Sequence, residues 1–234
     1  MVSADKDTAA TPFPSFEERW AVQDYTVLTP HAYRIRWTLE GPLATSVSVM
    51  KQSLVDPDDD EAPEPYYQGS TWHPFSNSPL TDPPISSIRV HVNPLDEWDE
   101  YWMDKHRDHG AGPLATVCCG TQRPVGKAVV GPVVTATARD FVTVHDFLSV
   151  VHPYLLDRRG DILAAMGEDP LRNCDGPMPA ATKLMVDWSG ASTVCVTDEA
   201  GWLKVRGRPT KMPASQRGAT WEALQRLKAA RGNP

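Results

Sequence analysis

Apolar positions change period several times along the chain. Tyr33, Ile35 and Trp37 alternate with Arg34 and Arg36, the two-residue period of a strand with one buried face. The β-branched run from Ile85 to Val92 predicts a second strand, and Leu114 to Cys119, Ala128 to Ala138 and Lys183 to Trp188 predict shorter ones. Thr193 to Val196 and Trp202 to Arg208 complete the expected sheet. Helical spacing takes over elsewhere. Asn93 suits an N-cap, Pro94 the first helical position, Asp96 and Glu97 the first turn and Gly110 the stop, so a helix is predicted from Pro94 to His109 with Leu95, Trp98 and Trp102 facing the core. Thr143 and Asp146 form a capping box with Asp in place of Glu, opening a helix with apolar positions Val144, Phe147, Leu148, Val151 and Leu155. Pro153 predicts a kink or a break into two helices before Gly167. A last helix, Thr220 to Arg231, is expected to bury Trp221, Leu224 and Leu227.

Strands and helices interleave without a βαβ period. The pattern predicts a single α+β domain over residues 16–232, with a mixed or antiparallel sheet and two or three packed helices. A flexible segment, 1–15, precedes it. The stretch 56–65 is too acidic and proline-rich to pack and reads as a mobile loop, and 202–231 forms a basic C-terminal region.

Length and composition narrow the class. The chain has 234 residues, 41% of them hydrophobic, enough for a core that needs no disulfide or metal to fold. Cys118 and Cys119 are adjacent while Cys174 and Cys195 stand apart, so no CxxC pair and no spaced framework of the disulfide or zinc-site kind is present. Reduced thiols are expected, with the adjacent pair in a strand interior. No apolar run approaches membrane-spanning length and residues 1–20 lack a secretory core, which together predict a cytoplasmic protein without a membrane partner.

Several signatures fail. Asp56, Asp58 and Asp60 imitate a calcium loop, but Glu61 and Tyr67 occupy the positions that need Gly and Glu. Gly120 and Gly126 are one residue too far apart for a phosphate loop, and Ala128 follows Lys127. His106-Arg107-Asp108 lacks the other kinase elements. His106 and His109 share a helical face, yet no third ligand can be placed from the sequence, so no metal or other cofactor is assigned and metal-assisted hydrolysis at these histidines is kept as an alternative. His145 and His152 lie two helical turns apart, too far for one ion.

Two charge features remain. The net charge of −7 divides into +7 from Lys204 onward and −14 before it. In the basic region Lys204, Arg206 and Arg208 alternate with Leu203 and Val205, so a strand would present a cationic row, extended by Lys211 and Arg217, to a polyanion, with Trp202 beside it to stack on a base. In the predicted acidic helix Asp96, Asp99 and Glu100 crowd one face, at a cost of roughly 0.2–0.5 kcal/mol per like-charged pair. A guanidinium, which pairs with a carboxylate through a fixed fork, is the natural cation to relieve it.

The run from Ile85-Ser-Ser-Ile-Arg-Val through this helix to Phe141-Val-Thr-Val-His-Asp-Phe-Leu resembles uncharacterised fungal domain proteins. It is also similar to the fungal arginine-containing cyclodipeptide synthases, whose short acidic motif has the form DDxxE. Asp96-Glu97-Trp98-Asp99-Glu100 is the matching segment, departing by Glu at the second position and an extra Asp. The resemblance implies an aminoacyl-tRNA-dependent transferase that condenses arginine from arginyl-tRNA with a second aminoacyl residue to a diketopiperazine, without ATP or metal. In that reading Asp96, Glu97, Asp99 and Glu100 supply the catalytic carboxylates, Trp98 and Trp102 contact substrate, and Lys204, Arg206, Arg208, Lys211 and Arg217 hold the tRNA; DNA is no partner. The alternative from another class is a non-catalytic intracellular interaction domain.

Overall fold

The computed structural model describes residues 13–52, 62–110, 112, 114–124, 130–172 and 176–207. Among them lies a six-stranded mixed sheet in the spatial order Glu64–Pro65, Val47–Val49, Ile35–Thr38, Leu184–Trp188, Thr193–Asp198, His91–Val92. All neighbours are antiparallel except the last pair, where Thr193–Asp198 runs parallel to His91–Val92. The alternation read at Ile35 and Trp37 holds, with both side chains buried. Tyr33 departs from it, ending a short helix, Pro30–Tyr33, before the strand begins. Glu64 and Pro65 form the sheet's outer strand, so the expected loop 56–65 ends two residues earlier; its residues 56–61 lie outside the described ones.

Helix Val144–Asp157 packs Phe147, Leu148, Val151 and Leu155 into the main core with Trp37, Val186, Val194 and Val196. Its capping box forms as expected: the Asp146 amide donates to Thr143 Oγ1 at 3.0 Å, and the Thr143 amide donates to Asp146 Oδ2 at 2.9 Å. The helix continues through Pro153, and the break falls at Arg158, before helix Arg159–Glu168. Buried His152 accepts from Trp37 Nε1 at 2.9 Å through Nδ1, so its Nε2–H donates to the Gly41 carbonyl, also at 2.9 Å. Both ring nitrogens are satisfied and burial lowers its pKa, which makes His152 a neutral core residue.

Several expected elements differ: the strand read over Ile85–Val92 is split between Ser87–Arg89, paired with Val133–Thr135 in a separate two-stranded sheet, and His91–Val92 at the edge of the main sheet, and that read over Leu114–Cys119 is reduced to Val117–Cys118. The helix predicted over Pro94–His109 is divided into Asn93–Asp96, Trp98–His106 and a 3₁₀ turn Arg107–His109, closed by Gly110 at φ 77°. Glu97 sits at the first junction, with ψ near zero, where the Asn93 amide donates to its carboxylate at 2.7 Å and the Tyr101 hydroxyl donates to its other oxygen. Leu95, Trp98 and Trp102 are nevertheless buried, as their spacing required. Of the strand read over Trp202 to Arg208, the described residues, to Gly207, form no strand. Glu199–Arg206 is a helix whose N-cap, Asp198, accepts from the Gly201 amide at 2.6 Å, and the buried pair Trp202 and Arg206 is spaced i, i+4. The final helix read over Thr220 to Arg231 lies outside the described residues.

Candidate metal centre

A tight hairpin, Val117–Cys118 paired with Thr121–Gln122, lies beside the end of helix Trp98–His106. Its two-residue turn, Cys119 and Gly120, has φ of 51° and 80°, the mirror-image geometry that matches strand twist. Gly120 adopts it freely, whereas at Cys119 the left-handed conformation costs on the order of 1–2 kcal/mol. The consequence is positional. Successive side chains on a strand point to opposite faces, but this turn brings Cys119 Sγ to 3.6 Å from Cys118 Sγ and 3.0 Å from His109 Nδ1. The thiols therefore do not occupy the strand interior expected for them; Cys118 is half-buried and Cys119 exposed.

Ligand atoms of His106, His109, Cys118 and Cys119 all lie within 4.8 Å of one another, a set found once among the described residues. With zinc–sulfur bonds of about 2.3 Å, a tetrahedral ion separates two thiolates by about 3.8 Å, close to the sulfur spacing here. His106 is buried. Its Nε2 lies 3.0 Å from Thr121 Oγ1, whose own proton goes to the Cys118 carbonyl at 2.8 Å. His106 must therefore donate to the threonine, which leaves Nδ1 as a bare lone pair, buried and without a hydrogen-bond partner. Burial chiefly holds the imidazole's pKa below its ordinary value, against the pull of Glu168, and a neutral imidazole is the form that ligates. Desolvation and the neighbouring Cys119 raise the Cys118 thiol, so an ion displaces a proton on binding.

The hairpin has little apolar anchorage. Leu114 is 94% exposed and Val117 61%. What ties it to the helix is polar: the Thr121–His106 and Cys119–His109 contacts, and Arg123, which forks Asp99 and lies 5.9 Å from the Trp102 ring centroid.

The residues predicted from the sequence to act on substrate are placed as follows. Asp96 pairs with His91 at 3.2 Å, Glu97 holds the helix junction, Asp99 is forked by Arg123 and Glu100 is exposed. The guanidinium that the crowded carboxylates called for is thus supplied by this chain. Trp98 and Trp102 are core side chains, 8% and 0% exposed, and present no open face to a ligand. Arg206, expected in a solvent-facing row with Lys204, is buried; it forks Asp187 and donates to the Tyr33 carbonyl at 3.0 Å. Lys204 is exposed on the same helix, and Arg208, Lys211 and Arg217 lie outside the described residues. The hairpin cysteines were missed as ligands, although Gly120 was the available signal for a turn between two β-prone residues on each side.

Comparison with known proteins finds no matching family model, no matching curated protein and no matching solved structure.

Proposed function

We propose that the protein is a metal-clamped, non-catalytic binding domain in which His106, His109, Cys118 and Cys119 hold a zinc-type ion that fixes the hairpin to the helix end. The observation that carries this reading is the convergence of four donor side chains from two separate elements within 4.8 Å. Two thiolates with two imidazoles favour zinc over the oxygen-seeking divalent ions. Four protein donors complete a tetrahedron, which suits a structural centre and removes the open position that metal-assisted hydrolysis requires. The exposed Leu114 and Val117 give the ion its work, because the hairpin has no core of its own to hold it.

Condensation of arginyl-tRNA asks for an unpaired carboxylate to meet an incoming guanidinium. Arg123 takes that place at Asp99, His91 pairs with Asp96, and Asn93 and Tyr101 engage Glu97, so the support left for this reading rests on the exposed Glu100 and Lys204.

The test is metal analysis of the full chain purified under reducing conditions from zinc-supplemented cells. One zinc per chain is expected, falling below a tenth in the double variant Cys118→Ser/Cys119→Ser, and cobalt substitution should give thiolate-to-metal charge-transfer absorption. A metal-free protein with four titratable thiols, unresponsive to added zinc or cobalt, overturns the assignment.

A further inference from the structure

A second site stands apart from the metal centre and shares no residue with it. A cleft of about 360 Å³ opens between the turn at Ser70–Trp72 and the start of helix Val144–Asp157. Its wall is aromatic: Trp72, 36% exposed, lies 4.5 Å from the His145 ring, centroid to centroid. Hydroxyl and amide groups of Ser76, Asn77, Thr137 and Thr143 and the carboxylate of Asp146 also line it.

Asp146 carries the one acidic group of this lining, and it is engaged by the protein's own donors. Asp146 accepts from Thr137 Oγ1, Thr143 Oγ1 and the Thr143 amide, so its carboxylate is already occupied. His145 lies 3.4 Å from the hydroxyl of the fully buried Tyr66, and burial disfavours its protonated form. An anionic ligand would find no Lys or Arg in this lining, a cationic one would meet a carboxylate already accepting three hydrogen bonds, and an apolar one would strip water from the hydroxyls without replacing their bonds. A further cleft, of about 560 Å³, shares Thr71 and Trp72 with the first and runs along Glu64, Gln68, His73 and Pro74, with Glu64 held 3.2 Å from His73. Trp72 therefore borders two adjoining troughs, each within the size range of small-molecule sites.

We propose that these clefts bind a neutral oligosaccharide, with one sugar ring stacked on Trp72 and the next reaching into the adjoining trough. Aromatic faces take the apolar side of a pyranose, and hydroxyl and amide groups exchange hydrogen bonds with its rim without requiring charge.

Calorimetry and saturation-transfer NMR on the full chain, with cellotetraose, chitotetraose and maltotetraose as probes and adenosine as the control ligand, test the proposal. At least one tetrasaccharide is expected to bind. Trp72→Ala should weaken it tenfold or more, whereas Trp20→Ala, at another exposed tryptophan, should leave it unchanged. Asn77→Trp, which fills the cleft from an exposed position, should abolish binding and decides the matter if Trp72→Ala fails to fold. Absence of binding by all three saccharides, binding of adenosine alone, or affinity unaffected by Asn77→Trp each overturns the proposal. Zinc removal should not change saccharide affinity, which separates failure here from failure of the metal assignment.

Discussion

Arg123 grips Asp99 through two parallel hydrogen bonds, Nε to Oδ1 and Nη2 to Oδ2, each 2.7 Å long. The fork joins the segment after the hairpin to the most acidic helix of the chain. Hydrogen bonds from Arg123 above all, with its charge, hold the Asp99 carboxyl below its ordinary value of 3.8, against a smaller opposing effect of desolvation. A depressed carboxyl contributes stability that is complete above its unfolded value and is lost as pH falls through the folded one. With Asp99 48% exposed, the contribution is on the order of 0.5–1 kcal/mol. Asp99→Asn should therefore lower the thermal midpoint at pH 7, and the gap from the parent should close as pH falls below the ordinary carboxylate range. Equal midpoints at pH 7 would mean the fork adds nothing beyond relieving like-charge crowding.

Zinc should stabilise the whole chain and order the hairpin in particular. At a free concentration one hundred times Kd the gain is about 2.7 kcal/mol. Hydrogen exchange with and without a chelator reads it directly: amides of residues 114–123 should lose protection on chelation while those of Leu184–Trp188 keep most of theirs. Uniform loss across both segments would place the ion's effect elsewhere.

Arg206 makes a structural ion pair, so its replacement should destabilise the fold rather than weaken a nucleic-acid contact. Arg206→Met leaves the Asp187 carboxylate, 12% exposed, without its fork, and removing one partner of such a pair costs about 3–5 kcal/mol. Urea denaturation in 0.1 M and 1 M salt measures this loss, which should vary little with salt. The double variant Arg206→Met/Asp187→Leu should recover much of it. A loss under 1 kcal/mol in the single variant would contradict the assignment.

Gly167 is tested by size alone. A Cβ there would stand 2.1 Å from the Gly176 carbonyl oxygen and 2.7 Å from Pro177 Cα, so backbone must move to admit it. Gly167→Ala should cost about 1–3 kcal/mol or more by overpacking, although alanine is the better helix former by about 1 kcal/mol. A stabilised variant would show that the approach of residues 176–177 to this helix is loose.

Where a local rule and the global packing agreed, the sequence was readable. Thr143 and Asp146 announced a capping box that formed, and the spacing of Leu95, Trp98 and Trp102 identified a buried face correctly even though the helix carrying them is broken at Glu97. Leu203 and Val205 misled because alternation over so few residues is matched equally by a helix burying Trp202 and Arg206. The demand for a guanidinium beside the carboxylates was legible, but its source was not, since Arg123 lies 24 residues from Asp99 in the chain. The proposed metal ligands were hidden for a different reason. A cysteine at positive φ is uncommon, so adjacent thiols read as strand neighbours on opposite faces, and only the turn at Cys119 reveals that both sulfurs converge on His109.

The four donors all fall within the stretch from His106 to Cys119, so the ion closes only short loops. Such a centre can assemble from nearest neighbours in the chain before the sheet joins strands as remote as Ile35–Thr38 and Leu184–Trp188. It would give the chain an early foothold that owes nothing to its distant pairings.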